Sequence, residues 1–284
     1  MTALLLALAA AIGYGVSDFA GGLASRRARA LTVALVAFPL GAVGLGLVVP
    51  IAGGVPSTDA LVVGAACGVL SVLGVLWFYA ALAAGPMSVV SPLTALLVAG
   101  VPLLAGVLMG ERPRSLAVVG AGLALVAVVL VSREEAVAVD ETPVVRLTAR
   151  TLWMTVGSGL AYAGLFVVLD AAPADSGVWP LFVARIVASA LIVVACLAAG
   201  ALRTPRGSVL WLAVVAGMLD VVANVAFLYG LRAGLLSLVS VLTSLYPAAT
   251  VLLARVVLGE RPGRVQRAGL GLAVVAVTLI AVGA

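Results

Sequence analysis

The 284-residue sequence contains no histidine and no lysine, only two cysteines, and few charged residues, which make up 10% of the chain. Without histidine, the commonest metal ligand and general base is missing. Cys67 and Cys196 both lie inside apolar stretches and are expected to pack as small side chains rather than form a disulfide or a metal site. All 16 basic residues are arginines scattered at the ends of apolar segments, whereas nucleic-acid binding requires a clustered basic face. We therefore expect no cofactor, no metal and no nucleic-acid partner.

Apolar residues are abundant instead. They form 64% of the chain, and the mean hydropathy is +1.32, whereas a soluble domain is about half apolar and a quarter charged. A helix crosses the bilayer core with about 20 apolar residues. Ten segments meet this requirement: 3–24, 31–52, 60–83, 87–109, 115–132, 150–170, 178–200, 208–230, 235–258 and 265–283. The sequence therefore predicts an all-α membrane protein with ten transmembrane helices.

One four-residue motif occurs twice. Gly110-Glu111-Arg112-Pro113 recurs as Gly259-Glu260-Arg261-Pro262, and the match extends backward without a gap. The identities before the motif are Gly85, Ser88, Val90, Ser91, Leu93 and Thr94, which recur as Gly234, Ser237, Val239, Ser240, Leu242 and Thr243. Chance rarely repeats charged residues in so apolar a chain. The duplication predicts a first five-helix repeat over 1–132, a polar linker over 133–149 and a second five-helix repeat over 150–284.

Each repeat contains an odd number of spans, so the second repeat must be inverted relative to the first in the membrane. Two inverted repeats are typical of secondary transporters, whose substrate sites lie near the middle of the bilayer.

The chain resembles the drug/metabolite transporter superfamily, and within it the ten-helix EamA-type branch. Three features carry the resemblance: the paired Gly-Glu-Arg-Pro turns, the serine-rich starts of helices four and nine, and the polar segment 13–18 of helix one. The resemblance implies two inverted five-helix repeats around a central cavity, export of small metabolites or drugs, and both termini in the cytoplasm.

The arginines indicate the opposite orientation. Eleven lie on the side of the loop between helices one and two, and three lie on the side of the termini. Because basic loops stay in the cytoplasm, this count places both termini outside. The sequence leaves the two orientations open.

The candidate site residues lie where the two repeats differ in polarity. An ionisable side chain inside a span costs several kcal/mol unless it faces a cavity or a partner, which makes function the default hypothesis. Each of four polar residues corresponds to a different residue in the other repeat: Asp18 to Phe166, Arg185 to Ala37, Asp220 to Ser71 and Asn224 to Val75.

Asp220 is the strongest of these candidates, because it lies near the middle of helix eight and shares a helix face with Asn224. It could take a proton or bind a cationic amine, or it could form a structural pair with Arg185. Arg185 could instead hold a substrate carboxylate or extend toward the interface.

Asp18 shares a face with Tyr14 and Ser17, and Gly21 and Gly22 follow one turn later, where another helix is expected to approach closely. Asp18 is a candidate for substrate or proton binding, or a carboxylate near enough to the helix end to reach water.

Hydroxyl and aromatic side chains supply further candidates. The hydroxyls of helices four and nine could bind substrate where prolines free backbone carbonyls, or could simply bond their own helices. The aromatic residues could line the cavity or anchor the interface. These candidates are Ser91, Ser240, Ser244, Trp77, Tyr79, Tyr162 and Tyr246.

From these residues we expect a secondary transporter of the cell membrane, in the bacterial inner or plasma membrane. It would export amino acids or other amphipathic amines by alternating access, driven by proton antiport at Asp220 or Asp18 or, as the alternative, facilitated without coupling. The expected partners are a small-molecule substrate, the lipid bilayer and protons, and the expected state is a monomer or homodimer. A flippase of lipids or lipid headgroups is an alternative. An intramembrane lipid-modifying enzyme is a weaker one, because no catalytic constellation is evident.

Overall fold

The computed structural model describes residues 1–84, 87–132, 148–259 and 263–283. All its regular elements in these ranges are helical. The α-helices are α1 (Thr2–Ser25), α2 (Ala30–Ala52), α3 (Thr58–Ala84), α4 (Met87–Leu108), α5 (Ser115–Ser132), α6 (Ala149–Asp170), α7 (Trp179–Ala198), α8 (Ser208–Ala233), α9 (Leu236–Thr243), α10 (Tyr246–Leu258) and α11 (Arg264–Gly283). A short 3₁₀ helix, Ala174–Ser176, precedes α7.

Ten helical segments within the described residues are long and apolar enough to cross a membrane, which confirms the ten predicted spans. Their ends differ from the predicted ones by a few residues.

The ninth span, Leu236–Leu258, consists of two helices, α9 and α10, separated at Ser244 and Leu245. Pro247 lies in the first turn of α10, where it lacks the N–H that a continuous helix would use. Helix α4, by contrast, runs unbroken through Pro92 and Pro102.

The helices form two compact units that mix the two halves of the sequence. The α1/α8 unit comprises Thr2–Val72 and Leu165–Ala233. The α5/α11 unit comprises Leu73–Gly164 and Gly234–Ala284, together with Met1. Each unit contains helices from both predicted repeats. The division into these units does not follow the repeats, so the repeat boundaries at 132 and 150 remain a prediction.

Small residues hold the helices of the α1/α8 unit together. A Cβ placed on Gly13 of α1 would lie 2.9 Å from the Cβ of Ala223 on α8, and one on Gly217 of α8 would lie 2.6 Å from the carbonyl oxygen of Ala37 on α2. Only glycine allows the backbones to come this close, which gives the van der Waals contact that drives helix association in lipid.

The same kind of contact pairs helices in the α5/α11 unit. A Cβ on Gly120 of α5 would meet the Ile280 backbone nitrogen of α11 at 2.9 Å. Between α3 and α6, the Ser158 hydroxyl donates a hydrogen bond to the Gly74 carbonyl at 2.9 Å. Both helix pairs are fixed by small residues along their contact.

The repeated turn ends a helix in each half of the chain. Gly110 after α4 has φ 101° and Gly259 after α10 has φ 71°, values that glycine adopts without strain. The Glu111 N–H then donates to the Gly106 carbonyl at 2.9 Å, which closes the end of α4. Glu260, Arg261 and Pro262 lie outside the described residues, so this closure is seen at the first copy of the motif.

Candidate functional site

Three of the candidate residues form one bonded group in the α1/α8 unit. The Arg185 guanidinium of α7 forms an ion pair with Oδ2 of Asp220 on α8. The Asn224 side-chain amide donates to the same Oδ2 at 2.8 Å and to the Asp220 carbonyl at 2.7 Å. The Phe38 ring of α2 lies 4.9 Å from the guanidinium carbon. The pair is 14% and 27% exposed, so neither charge is fully enclosed.

Helix α1 completes this group from the other side. Tyr14 lies close enough to Arg185, Asp18 and Cys67 for electrostatic interaction. The buried Ser17 hydroxyl donates to the Ala216 carbonyl of α8 at 2.8 Å. Ser17 therefore contributes to helix packing, and Tyr14 lies within electrostatic range of Arg185 and Asp18.

Asp18 lies on an open part of α1. Its side chain is exposed, and within the described part of the chain it has no hydrogen-bond or ion-pair partner. The outward apolar residues of α1, Leu5 and Ile12, lie about 120–140° around the helix from Asp18. On the helix face that carries Asp18, Ala11 is buried, whereas Asp18 and Gly22 are exposed. The carboxylate thus points away from the exposed apolar side of α1.

The close helix approach expected at Gly21 and Gly22 is wrong. Among the described residues, no atom outside the glycine's own stretch of helix lies within 4 Å of a Cβ on Gly22, and the nearest atom to one on Gly21 is the Ala216 Cβ at 3.9 Å. The close approach is at Gly13 instead, one helical turn before Ser17. Gly22 lies one turn after Asp18 on the same helix face, and both residues are exposed, so the Asp18 carboxylate is accessible.

The remaining seven candidates lie in the α5/α11 unit. Two of the aromatic rings there pack on glycines. The Trp77 ring lies 2.9 Å from the Cβ position of Gly157, and the Tyr162 ring lies 3.0 Å from that of Gly74. These contacts join α3 to α6 and give both rings a packing role. Tyr79 is 40% exposed, and Tyr246 is half-buried in the first turn of α10.

The hydroxyl candidates divide into bonded and unbonded groups. The Ser244 hydroxyl donates to the Ser240 carbonyl at 2.7 Å, as membrane serines commonly do. The Ser240 hydroxyl is buried and has no partner among the described residues. Ser91 is half-buried in α4. Ser240 therefore has hydrogen-bonding capacity left over, and so do the buried hydroxyls of Thr94, Ser132 and Ser237.

Glu111 has a contact that the sequence did not reveal. Its carboxylate accepts hydrogen bonds from the N–H groups of Leu236 at 2.6 Å and Ser237 at 3.0 Å, the first two residues of α9. Gly106 leaves room for this carboxylate, because a Cβ there would collide with it. The contact joins residues that are 125 apart in the chain, so no local pattern in the sequence indicated it. Phe38, which faces Arg185, was missed for the same reason.

Ten spans with an ion pair and an open carboxylate inside them define a multi-pass membrane protein with a polar site in its helices. The chain belongs to the EamA-like transporter family, which its sequence matches over residues 1–133 and 149–282. This confirms the resemblance seen in the sequence. The family is one of transporters and not of enzymes, so the intramembrane enzyme considered above is not supported.

Solved structures agree on the fold. One crystal structure of another protein is similar over 99% of this chain and 96% of its own, with a TM-score of 0.74 and 20% sequence identity. At that identity the likeness shows the fold alone. No protein of curated function matches the chain.

Proposed function

We propose that the protein exports amino acids or other small amphipathic amines by alternating access, in exchange for protons at Asp18. The observation that carries the proposal is the open Asp18 carboxylate, which lies inside a span without a partner in the described part of the chain. A carboxylate inside a span is costly unless it faces a cavity or a partner, which makes function the default hypothesis.

Asp18 suits this role better than Asp220, the strongest candidate from the sequence. Asp220 is already neutralised by Arg185 and accepts a hydrogen bond from Asn224. A proton or an amine would have to displace both partners to bind it. Asp18 has no such competitor among the described residues.

The surroundings of Asp18 suit an amphipathic amine. The amine would pair with the carboxylate, and Tyr14 offers a hydroxyl and an aromatic ring on the same face of α1. Because one carboxylate cannot hold a proton and an amine together, the binding of one releases the other, which is the requirement for antiport.

Transport by reconstituted protein tests this proposal. A panel of amino acids and amines is first screened for thermal stabilisation of the purified protein, and the hits are assayed in proteoliposomes with and without a pH gradient. We expect Asp18→Asn to lose the acceleration by the pH gradient, because the amide cannot exchange a proton. Asp175→Asn, which alters an exposed carboxylate outside the spans, is the matched control and should behave like the wild type. An unchanged pH-gradient response in Asp18→Asn would show that coupling lies elsewhere.

A further inference from the structure

A basic cavity lies at one end of the α1/α8 unit, away from Asp18 and Arg185. It has a volume of about 350 Å³ and is lined by Arg29, Thr32, Gly200, Ala201 and Arg203. The second span begins at Ala30 and the seventh ends at Ala198. The cavity therefore lies at the level where the helices leave the membrane.

The walls of the cavity are fixed by backbone bonds. After α7, Gly200 adopts φ 59°, and the Ala201 N–H donates to the Cys196 carbonyl at 2.8 Å. This arrangement satisfies the last carbonyls of the helix. The Cys196 thiol in turn contacts the Leu31 carbonyl of α2 at 3.6 Å, which ties the two walls together. The cavity is thus preformed.

Its charge is strongly positive. The two segments that border it, residues 26–29 and 199–207, contain five arginines and no acidic residue. Among the described residues, the Arg29 and Arg203 side chains have no hydrogen-bond or ion-pair partner. Guanidinium groups bind phosphate with two parallel hydrogen bonds, and the Thr32 hydroxyl is a further donor at the same wall. The cavity therefore suits a phosphate group.

The surroundings favour a phosphate carried by a lipid. Next to the cavity, Leu197 is 59% exposed and Leu202 is 50% exposed. Trp211, in the first turn of α8, is 72% exposed, as expected for an indole at a membrane interface. A free phosphate would gain nothing from these apolar side chains, whereas acyl chains would pack on them. We propose that the cavity binds the phosphate of an anionic phospholipid headgroup, which is the ligand that basic pockets at helix ends recognise.

Phosphatidylglycerol is the probe for this site. The full-length protein is purified in detergent and its thermal unfolding is followed by tryptophan fluorescence while phosphatidylglycerol or phosphatidylcholine is added. We expect phosphatidylglycerol to stabilise the wild type and phosphatidylcholine to have little effect. In Arg29→Ala/Arg203→Ala the apparent affinity for phosphatidylglycerol should fall by about thirtyfold, since each basic residue near a lipid surface contributes about one kcal/mol.

Two further variants distinguish lipid binding at this cavity from general attraction between arginines and anionic lipid. Arg112→Ala/Arg114→Ala removes two arginines from the loop after α4, and this variant should respond to phosphatidylglycerol like the wild type. Arg29→Lys/Arg203→Lys keeps the charge but loses the bidentate geometry, and should give an intermediate affinity. Native mass spectrometry of the same variants counts the retained lipids, so the test does not depend on unfolding temperature alone.

Three outcomes would overturn the proposal. The first is that the Arg29→Ala/Arg203→Ala variant is stabilised by phosphatidylglycerol as much as the wild type is. The second is equal stabilisation by inorganic phosphate, which would identify a free anion as the ligand. The third concerns the acidic linker, whose residues Glu134, Glu135, Asp140 and Glu141 lie outside the described ranges. If lipid stabilises only a variant with these four carboxylates changed to amides, the linker itself is the occupant.

Discussion

Asp220 and Arg185 are the two partners of an ion pair inside the α1/α8 unit. Within a bilayer, each charge alone would carry a cost of several kcal/mol. Their ion pair cancels most of that cost, and Asn224 and Phe38 supply the remaining contacts. The structural pairing considered from the sequence is therefore the arrangement observed, and the pair fixes α7 against α8.

A double-mutant cycle measures this dependence. Asp220→Asn and Arg185→Gln should each lower the free energy of unfolding by about 3 kcal/mol, because each leaves one charge unpaired inside the unit. The double variant Arg185→Gln/Asp220→Asn should recover most of that loss, because no unpaired charge remains. Thermal unfolding in detergent, followed by tryptophan fluorescence, gives the three values. If the two losses simply add, the ion pair does not contribute.

Among the helices, α9 depends most on contacts with the rest of the protein for its stability. It has eight residues, and isolated helices that short are not stable. Its own preceding residue, Leu235, offers no side-chain cap. Glu111 supplies that cap from the end of α4, and a carboxylate at a helix N-terminus also interacts favourably with the helix dipole. The first Gly-Glu-Arg-Pro turn thus ends one helix and starts another.

Removing this cap should destabilise the protein by an amount typical of helix N-caps. We expect Glu111→Ala to lower the free energy of unfolding by about 1–2 kcal/mol. Glu111→Gln should lose less, because the amide oxygen can still accept one of the two hydrogen bonds. Arg112→Ala, at the exposed neighbouring position, is the control and should change stability little. Unfolding temperatures of the three variants in one detergent make the comparison. Equal stability of Glu111→Ala and the wild type would contradict the capping role.

For the whole molecule, the distribution of arginine predicts the orientation. By the alternation of the ten spans along the sequence, eleven arginines belong to the loops on the side of the α7–α8 loop, and three belong to the loops on the side of the termini. We expect the arginine-rich side in the cytoplasm, contrary to what the resemblance alone implied.

Cysteine labelling in intact cells tests this orientation. The two native cysteines are buried and unpaired, so a Cys67→Ala/Cys196→Ala background should fold and leave no reactive thiol. In that background, Val55→Cys should react with a membrane-impermeant maleimide, because the α2–α3 loop lies on the side of the termini. Leu202→Cys, in the α7–α8 loop, should react only after the cells are permeabilised. The reverse pattern would place both termini in the cytoplasm.

Prediction from the sequence succeeded for properties set by local composition. The spans followed from hydropathy, because lipid offers no hydrogen-bond partner to the backbone and a single chain segment can then cross only as a helix. The roles of Trp77 and Tyr162 could not be predicted, because they depend on the glycines of α6 and α3 that their rings contact.

By itself the sequence determined that the chain crosses the membrane ten times, that it is duplicated, and which polar side chains lie inside its spans. Only the tertiary structure decided how those side chains are used. It paired Asp220 with Arg185, left Asp18 open on α1, and placed Glu111 at the start of α9. The physical reason is that a residue's hydropathy is local, whereas the partner that neutralises a charge or caps a helix comes from a distant segment of the chain.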